Sequence, residues 1–121
     1  MKILNITQHP ATPDQIVAGV VDLEGESLTQ MKALLTFDSI PNKGQLISAA
    51  IKLAKLAKDN GANTAMIGGA PFFMSTLESA MKEIGIRPIY AFSVRNSVEQ
   101  PDGNGGVRKV NVFRHAGFVE V

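Results

Sequence analysis

The sequence contains no cysteine among its 121 residues, which excludes disulfides, thiolate metal sites and cysteine nucleophiles. It also lacks any apolar run near the roughly 20 residues that a transmembrane helix needs. The apolar patch at residues 2–6 has the length of a strand and is too short for the core of a signal peptide. We therefore expect a cytoplasmic protein without a membrane partner.

Net charge is nearly absent as well, since 12 Lys and Arg residues against 11 Asp and Glu residues leave +1. A module for duplex nucleic acid usually concentrates basic residues, so we expect no duplex partner, whereas a small nucleotide ligand remains compatible. With 45 % hydrophobic and 19 % charged residues, the composition is that of a globular protein. At this length we expect a single domain over residues 1–121.

Strand-length apolar runs alternate with helical patterns three times, which predicts an α/β fold with a mainly parallel sheet. We expect a Rossmann-like three-layer sandwich of strand order 2-1-3-4 that ends in an antiparallel hairpin. The predicted strands are residues 2–6, 31–37, 64–67, 87–94 and 107–115, and residues 96–106 are predicted to form a mobile loop, with a bend at Gly117.

Three helices are predicted between these strands. The first begins sharply at Thr12-Pro13-Asp14-Gln15, a capping box with proline at the first helical position, and continues through Val20 and Val21. The second carries apolar residues at helical spacing from Leu46 to Ala57 and ends at Gly61. The third follows a glycine turn and ends before Gly85.

That glycine turn, Gly68-Gly69-Ala70, is a candidate anion site, because backbone amides can approach a ligand there and the next helix presents its positive end. The predicted strand order sets the turn beside the loop after the first strand, at the switch point where open α/β sheets bind ligands. The ligand-binding candidates are Thr7, Gln8, Gly68, Gly69, Ala70, Phe72, Ser93 and Arg95.

These candidates have distinct roles. Gln8 can hydrogen-bond a base or ribose, Phe72 can stack on a base, and Arg95 can add a positive charge. The turn has neither the spaced glycines of a dinucleotide fingerprint nor the ending of a P-loop. A turn that is purely structural therefore stays open as the alternative.

His9 is the catalytic candidate, because it follows the first strand and precedes a proline that restricts its backbone. His115 is interpreted as a partly exposed residue of a late strand. The two histidines have no acidic residue at ligand spacing, so we expect no metal and no cofactor. Ser75 and Ser93 lack a nucleophile elbow, so no hydrolytic triad is supported.

Phe72-Phe73-Met74 open the third helix, and at about 100° per residue they cannot all face one core. An exposed apolar side chain there would contact a ligand, a neighbouring loop or a second subunit, so a homodimer is plausible. The alternative interpretation is a small α/β interaction protein that uses these apolar residues to dock a partner.

The segment Asn5 to Gln15 resembles the start of small CRISPR-associated proteins of antiviral defence. In those proteins an asparagine that ends the first strand is followed by histidine and proline, and then by a helix start of threonine, proline, an acidic residue and glutamine; Asn5, His9 and Pro10 carry the specificity here. Three β-α units closing in an antiparallel hairpin are also similar to the Rossmann-like CARF sensor domains.

The resemblance implies a function. CARF domains bind cyclic oligoadenylates across a homodimer, and some members cleave the ring with the substrate's own 2′-hydroxyl as nucleophile. It follows that this chain would bind such a ring at a dimer crevice, as a metal-independent ring nuclease or as a sensor that only binds. Gln8, His9, the Gly68-Gly69 amides and Arg95 would then align the phosphate, with His9 moving the proton.

Overall fold

The computed structural model describes residues 2–121 as a mixed α/β fold around one five-stranded sheet. The strands are β1 (Ile3–Ile6), β2 (Val20–Asp22), β3 (Thr64–Ile67), β4 (Arg87–Pro101) and β5 (Val107–Glu120). The helices are α1 (Pro13–Val17), α2 (Gly25–Leu34), α3 (Lys43–Asp59) and α4 (Pro71–Glu83). The sheet order is β2-β1-β3-β4-β5; all neighbours are parallel except β4 and β5, which are antiparallel.

Several sequence predictions are confirmed. The sheet is mainly parallel and an antiparallel hairpin closes it. Its order fits the expected 2-1-3-4, although the second strand is Val20–Asp22 and not the predicted residues 31–37. The capping box at α1 is present: Thr12 Oγ1 accepts from the Gln15 amide at 3.3 Å, and Gln15 Oε1 accepts from the Thr12 amide at 3.0 Å. The second and third predicted helices correspond to α3 and α4.

The first helix is much shorter than predicted, because α1 ends at Val17 and its expected continuation through Val20 and Val21 is wrong. Gly19 adopts φ of +104°, a backbone conformation that ends the helix. Val20 and Val21 then form β2, in which Val20 pairs with Ile3 and is buried. Their β-branched side chains suit an extended backbone better than a helix.

The strand predicted at residues 31–37 is also wrong, because this segment completes α2 and the turn that follows it. Leu28, Met31 and Leu35 lie three and four residues apart, so a helix directs all three to one face. Met31 and Leu35 are buried in the core, and Leu28 packs against it. The helical spacing of these three residues, rather than the short apolar run, identifies the element.

The loop predicted at residues 96–106 is mostly strand. β4 continues to Pro101 and pairs with β5 from Ile89 to Pro101, so the turn comprises only residues 102–106. Asp102 Oδ1 accepts from the amides of Asn104 and Gly106 at 2.8 and 3.1 Å and thereby closes the turn. Polar residues are typical of a loop, but in an exposed hairpin both faces of the sheet contact water and backbone pairing forms the ladder.

The expected bend at Gly117 is a β-bulge inside β5. Phe92 pairs with Gly117 and Ser93 pairs with His115, so Ala116 is an extra residue on the β5 side. Gly117 adopts φ of +151° there. A bulge of this kind increases the local twist and redirects side chains.

The sheet has two unequal faces, since residues alternate between them along each strand. Leu4 and Ile6 belong to the larger core, together with buried residues of α2, α3 and α4 such as Leu53 and Phe73. The opposite face has a smaller cluster: Ile3, Val20, Met66 and Ile89, with Ala11 and Phe118 packed against it. Within residues 2–121, the helices are all too short or too polar to span a membrane.

Candidate functional site

A cleft of about 640 Å³ lies where β1 and β3 end. Ile6 pairs with Ile67, so the loop after β1 and the glycine turn after β3 begin at the same level of the sheet. The two segments touch, since a Cβ added to Gly68 would lie 3.3 Å from Thr7 Cγ2. The cleft is lined by Thr7, Gln8, His9, Pro10, Thr12, Gln15, Leu35, Met66, Ile67, Gly68, Gly69, Ala70, Tyr90 and Ala91.

The loop after β1 is shaped by Asn5, a polar side chain that is only 3 % exposed. Asn5 Nδ2 donates to the His9 carbonyl and to Asp22 Oδ1, each at 2.8 Å, and Asn5 Oδ1 accepts from the Thr7 amide at 3.0 Å. Asp22 Oδ1 in turn accepts from the Ala11 amide at 3.1 Å. These bonds satisfy the buried polar groups and fix the loop from residue 7 to residue 11.

The Thr7 hydroxyl belongs to the same hydrogen-bond network. Its Oγ1 lies 2.7 Å from Asn5 Oδ1 and accepts from the His9 amide at 3.3 Å. Both the amide and the carbonyl of His9 are therefore held, while the residue itself is exposed and lines the cleft. Thr7 thus acts as a positioning residue for His9.

Gln8 lines the cleft from the same loop. Its Nε2 donates to Thr36 Oγ1 at 3.1 Å, and Thr36 Oγ1 itself donates to the Lys32 carbonyl at 2.7 Å. This contact orients the Gln8 amide from the end of α2. The amide oxygen of Gln8 can accept a hydrogen bond from a ligand in the cleft.

The glycine turn forms the opposite wall. Gly69 adopts φ of +155°, and a Cβ there would lie 3.4 Å from Met74 Cε and 3.7 Å from Leu35 Cδ2. Ala70 is the N-cap of α4 and has no side chain that can accept a hydrogen bond from the first amides. The positive end of this 13-residue helix therefore adjoins the cleft without a capping side chain.

The charge of the cleft is also informative. Among residues 2–121, those that line it include no Asp, Glu, Lys or Arg. A phosphate would meet no carboxylate there and would be stabilised by backbone amides and the helix dipole rather than by a full positive charge. The arrangement suits a neutral-to-anionic ligand with several hydrogen-bonding groups.

Tyr90 is a lining residue that the sequence reasoning missed. Its hydroxyl donates to Glu78 Oε2 of α4 at 2.6 Å. Burial of the phenol, and then the hydrogen bond and charge of Glu78, raise the pKa of Tyr90 above its ordinary value. Tyr90 therefore stays protonated and serves as a fixed wall. Its position one residue beyond Ile89, which pairs with β3, is the signal that could have identified it.

Gln15, which the sequence predicts as a capping residue, also lines the cleft. Its Oε1 is occupied by the Thr12 amide, which leaves the Nε2 hydrogens to donate to a ligand. The sequence feature that could have predicted this position is the capping box of α1, which follows directly after the loop that forms one wall of the cleft.

Three candidates lie outside the cleft. Phe72 lines a separate groove with Phe37, their ring centroids 5.5 Å apart. Ser93 lines a cavity at the base of the hairpin, and the Arg95 guanidinium lies 5.4 Å from the centroid of the Phe113 ring. The structure thus brings together Thr7, Gln8, His9, Gly68, Gly69 and Ala70, but not Phe72, Ser93 or Arg95.

No group of three His, Cys, Asp or Glu side chains within residues 2–121 is arranged to hold a metal ion. The residues that line the cleft offer one imidazole, amides and hydroxyls. This set can bind and orient a polar ligand, and the His9 imidazole can donate or accept a hydrogen bond there.

Fold and site together define an α/β protein with a ligand-sized cleft at the carboxyl ends of two adjacent parallel strands. The model of the Uncharacterized protein MJ1673 family matches residues 1–119, and the chain belongs to that family. No curated protein and no solved structure matches the chain.

Proposed function

We propose that the chain binds a cyclic oligoadenylate in this cleft, as a homodimer of Rossmann-like subunits, and opens the ring there without a metal ion. The observation that supports the proposal is the meeting of the β1 loop and the glycine turn in one cleft whose described lining has no carboxylate. The resemblance of residues 5–15 to small CRISPR-associated proteins supplies the identity of the ligand.

The phosphate would bind at the glycine turn. The backbone at Gly68 and Gly69 can approach it closely, and the uncapped start of α4 favours a negative charge. Adenine and ribose would contact the other wall, where the Gln8 oxygen can accept from the adenine amino group and Gln15 Nε2 can donate.

The size of the cleft supports a ligand that two subunits bind together. Small-ligand sites typically have volumes of about 300–1,000 Å³, and this cleft of about 640 Å³ falls within that range. A ring of several nucleotides would extend beyond one such cleft. A two-fold dimer would offer the same two walls twice to a symmetric ring.

Ring opening would follow from alignment. The 2′-oxygen of one nucleotide attacks the adjacent phosphorus, a new O–P bond forms, and the bond from phosphorus to the 5′-oxygen breaks. His9 takes the proton from the 2′-hydroxyl, and a water molecule gives a proton to the departing 5′-oxygen. The proton on His9 then returns to the solvent, so the step is neutral overall. The products are a linear oligoadenylate with a 2′,3′-cyclic phosphate and a 5′-hydroxyl.

A second candidate function, an interaction protein with a structural glycine turn, is favoured by a different surface. Phe37, Ile40 and Phe72 line a groove of about 560 Å³, and Ile40 is 96 % exposed while Phe72 is 55 % exposed. The positive φ of Gly69 is also what a purely structural turn requires. This candidate predicts no nucleotide binding.

The two functions are separated by incubating the chain with cyclic tetra-adenylate or cyclic hexa-adenylate in EDTA, followed by chromatography. We expect linear products from the wild-type chain and a loss of about 100-fold or more in rate for His9→Ala, the usual contribution of a proton-transferring side chain. Lys82→Ala, which removes a charge at the far end of α4, is the control and should keep full activity.

Thermal melting of the same samples covers binding without cleavage. Ligand at 100 times its dissociation constant adds about 2.7 kcal/mol to the free energy of unfolding, which raises the melting temperature by several degrees. Intact ligand with a raised melting temperature would indicate a sensor and refute the cleavage step. An unchanged melting temperature with every ring would refute the nucleotide proposal and favour the interaction protein.

A further inference from the structure

A second cavity adjoins the cleft on the hairpin side. It has a volume of about 430 Å³ and lies between the first turn of α1 and the base of the hairpin. Thr12 and Gln15 line both this cavity and the cleft. The two spaces are therefore neighbours with a common wall, and one extended ligand can reach both.

The hairpin contributes a polar cluster to this second cavity. Ser93 pairs with His115 and Arg95 pairs with Phe113 across the antiparallel ladder. Directly paired residues point to the same face, and residues two apart along a strand share it, so these four side chains lie on one face of the hairpin. Ser93, Phe113 and His115 line the cavity.

The bulge at Ala116 is what brings His115 to this face. His115 and Phe118 are three residues apart, so an uninterrupted strand would direct them to opposite faces. With the extra residue they share a face, and their rings lie edge to face with centroids 4.9 Å apart. Bulges are frequent beside functional sites, where they redirect a side chain in this way.

His115 also has an unexplained buried atom. Among the described residues, its Nδ1 is the one buried side-chain nitrogen or oxygen without a hydrogen-bond partner. The neutral tautomer with its hydrogen on Nε2 places no N–H donor at the unpartnered Nδ1. Nε2–H is then the donor that His115 offers to a ligand in the cavity.

Charged groups border the cavity on two sides. Arg114 lines the cavity from β5. The Arg95 guanidinium lies 5.4 Å from the centroid of Phe113, which is a lining residue, so Arg95 adjoins the cavity through that ring. Asp14 lines the cavity from α1. A phosphate is favoured beside Arg95, whereas the Asp14 carboxylate suits the hydroxyl groups of a ribose.

We propose that this cavity is a second nucleotide subsite, so that each chain binds two phosphate-linked nucleotides rather than one. The inference rests on the proposed function of the first cleft. Arg95 and the Nε2–H of His115 bind the second phosphate, and Asp14 accepts hydrogen bonds from the second ribose. The second subsite would also place Ser93 and Arg95, which lie outside the first cleft, in contact with the same ligand.

Calorimetric titration of the full chain with AMP and with linear 5′-phosphorylated di-adenylate tests the subsite. We expect the dinucleotide to bind at least about 10-fold more tightly, since hydrogen bonds to charged groups contribute at this level. Arg95→Ala and His115→Ala should each lower dinucleotide affinity by about 10-fold and change AMP affinity by less than about 2-fold. Lys109→Ala, farther along the hairpin, is the matched control and should change neither.

The outcomes separate the two proposals. Equal affinity for AMP and the dinucleotide, or variants that weaken both ligands alike, would overturn the second subsite and leave the first cleft intact. Failure of both ligands to bind the wild-type chain would overturn the subsite and the proposed function together. Arg95 is exposed, so Arg95→Ala remains informative even if His115→Ala lowers the melting temperature.

Discussion

Strand β4 lies in two different environments along its length. At Pro88 and Ile89 it is buried in the sheet beside β3, whereas from residue 91 to residue 101 every residue is exposed and its strand partner is β5. The first part is held by side-chain burial on both faces, and the second by the backbone ladder and its anchorage. A two-stranded hairpin alone is marginally stable in water, so this one depends on the sheet from which it extends.

Stability and ligand contact therefore reside in different regions of the molecule. Side chains of the buried region are committed to packing, while those of the hairpin are available to a ligand or another chain. The same substitution should therefore lower the free energy of unfolding much more in the buried core than in the exposed hairpin.

The largest difference is expected for phenylalanine. Phe73 is fully buried, so Phe73→Ala should lower the free energy of unfolding by about 3–5 kcal/mol, the usual cost of removing a buried aromatic ring. Phe113 is 68 % exposed, and Phe113→Ala should cost less than about 1 kcal/mol, mostly through its contact with Arg95. Urea unfolding of both variants measures the pair. Equal losses in the free energy of unfolding would contradict this expectation, because they would mean that Phe113 is as buried in solution as Phe73.

A smaller difference is expected for asparagine. Asn5→Ala should lower the free energy of unfolding by about 1–3 kcal/mol, because it removes the acceptor of the Thr7 amide and leaves the Asp22 carboxylate with the Ala11 amide as its remaining donor. Asn111→Ala, on the exposed hairpin opposite Ser97, should change it by less than about 0.5 kcal/mol. Urea unfolding again supplies the values, and an Asn5→Ala variant as stable as Asn111→Ala would contradict the role of Asn5 in the loop.

The core and the two walls of the cleft could be predicted from the sequence because their signals are local. Apolar runs at residues 2–6 and 64–67 have the length of buried strands, and the helical spacing of α3 is unambiguous. Right-handed crossovers predict that β1 and β3 are neighbours, and this adjacency brings Gln8 and His9 opposite Gly68 and Gly69.

The remaining features depend on tertiary contacts that no short window contains. Met31 and Leu35 form one helical face with Leu28, and Val20 is selected as a strand residue by pairing with Ile3. The bulge that turns His115 toward Phe118 is visible only once β5 is paired with β4.

The proposed function requires the cleft between the β1 loop and the glycine turn to bind a nucleotide. A titration of the uniformly ¹⁵N-labelled chain with cyclic tetra-adenylate, followed by amide NMR spectra, measures this binding residue by residue. We predict saturable shifts at Gln8, His9, Gly68 and Gly69, with the amides of the C-terminal turns of α3 and α4 unchanged. Shifts confined to the groove of Phe37, Ile40 and Phe72, or unchanged spectra at saturating ligand, would contradict it.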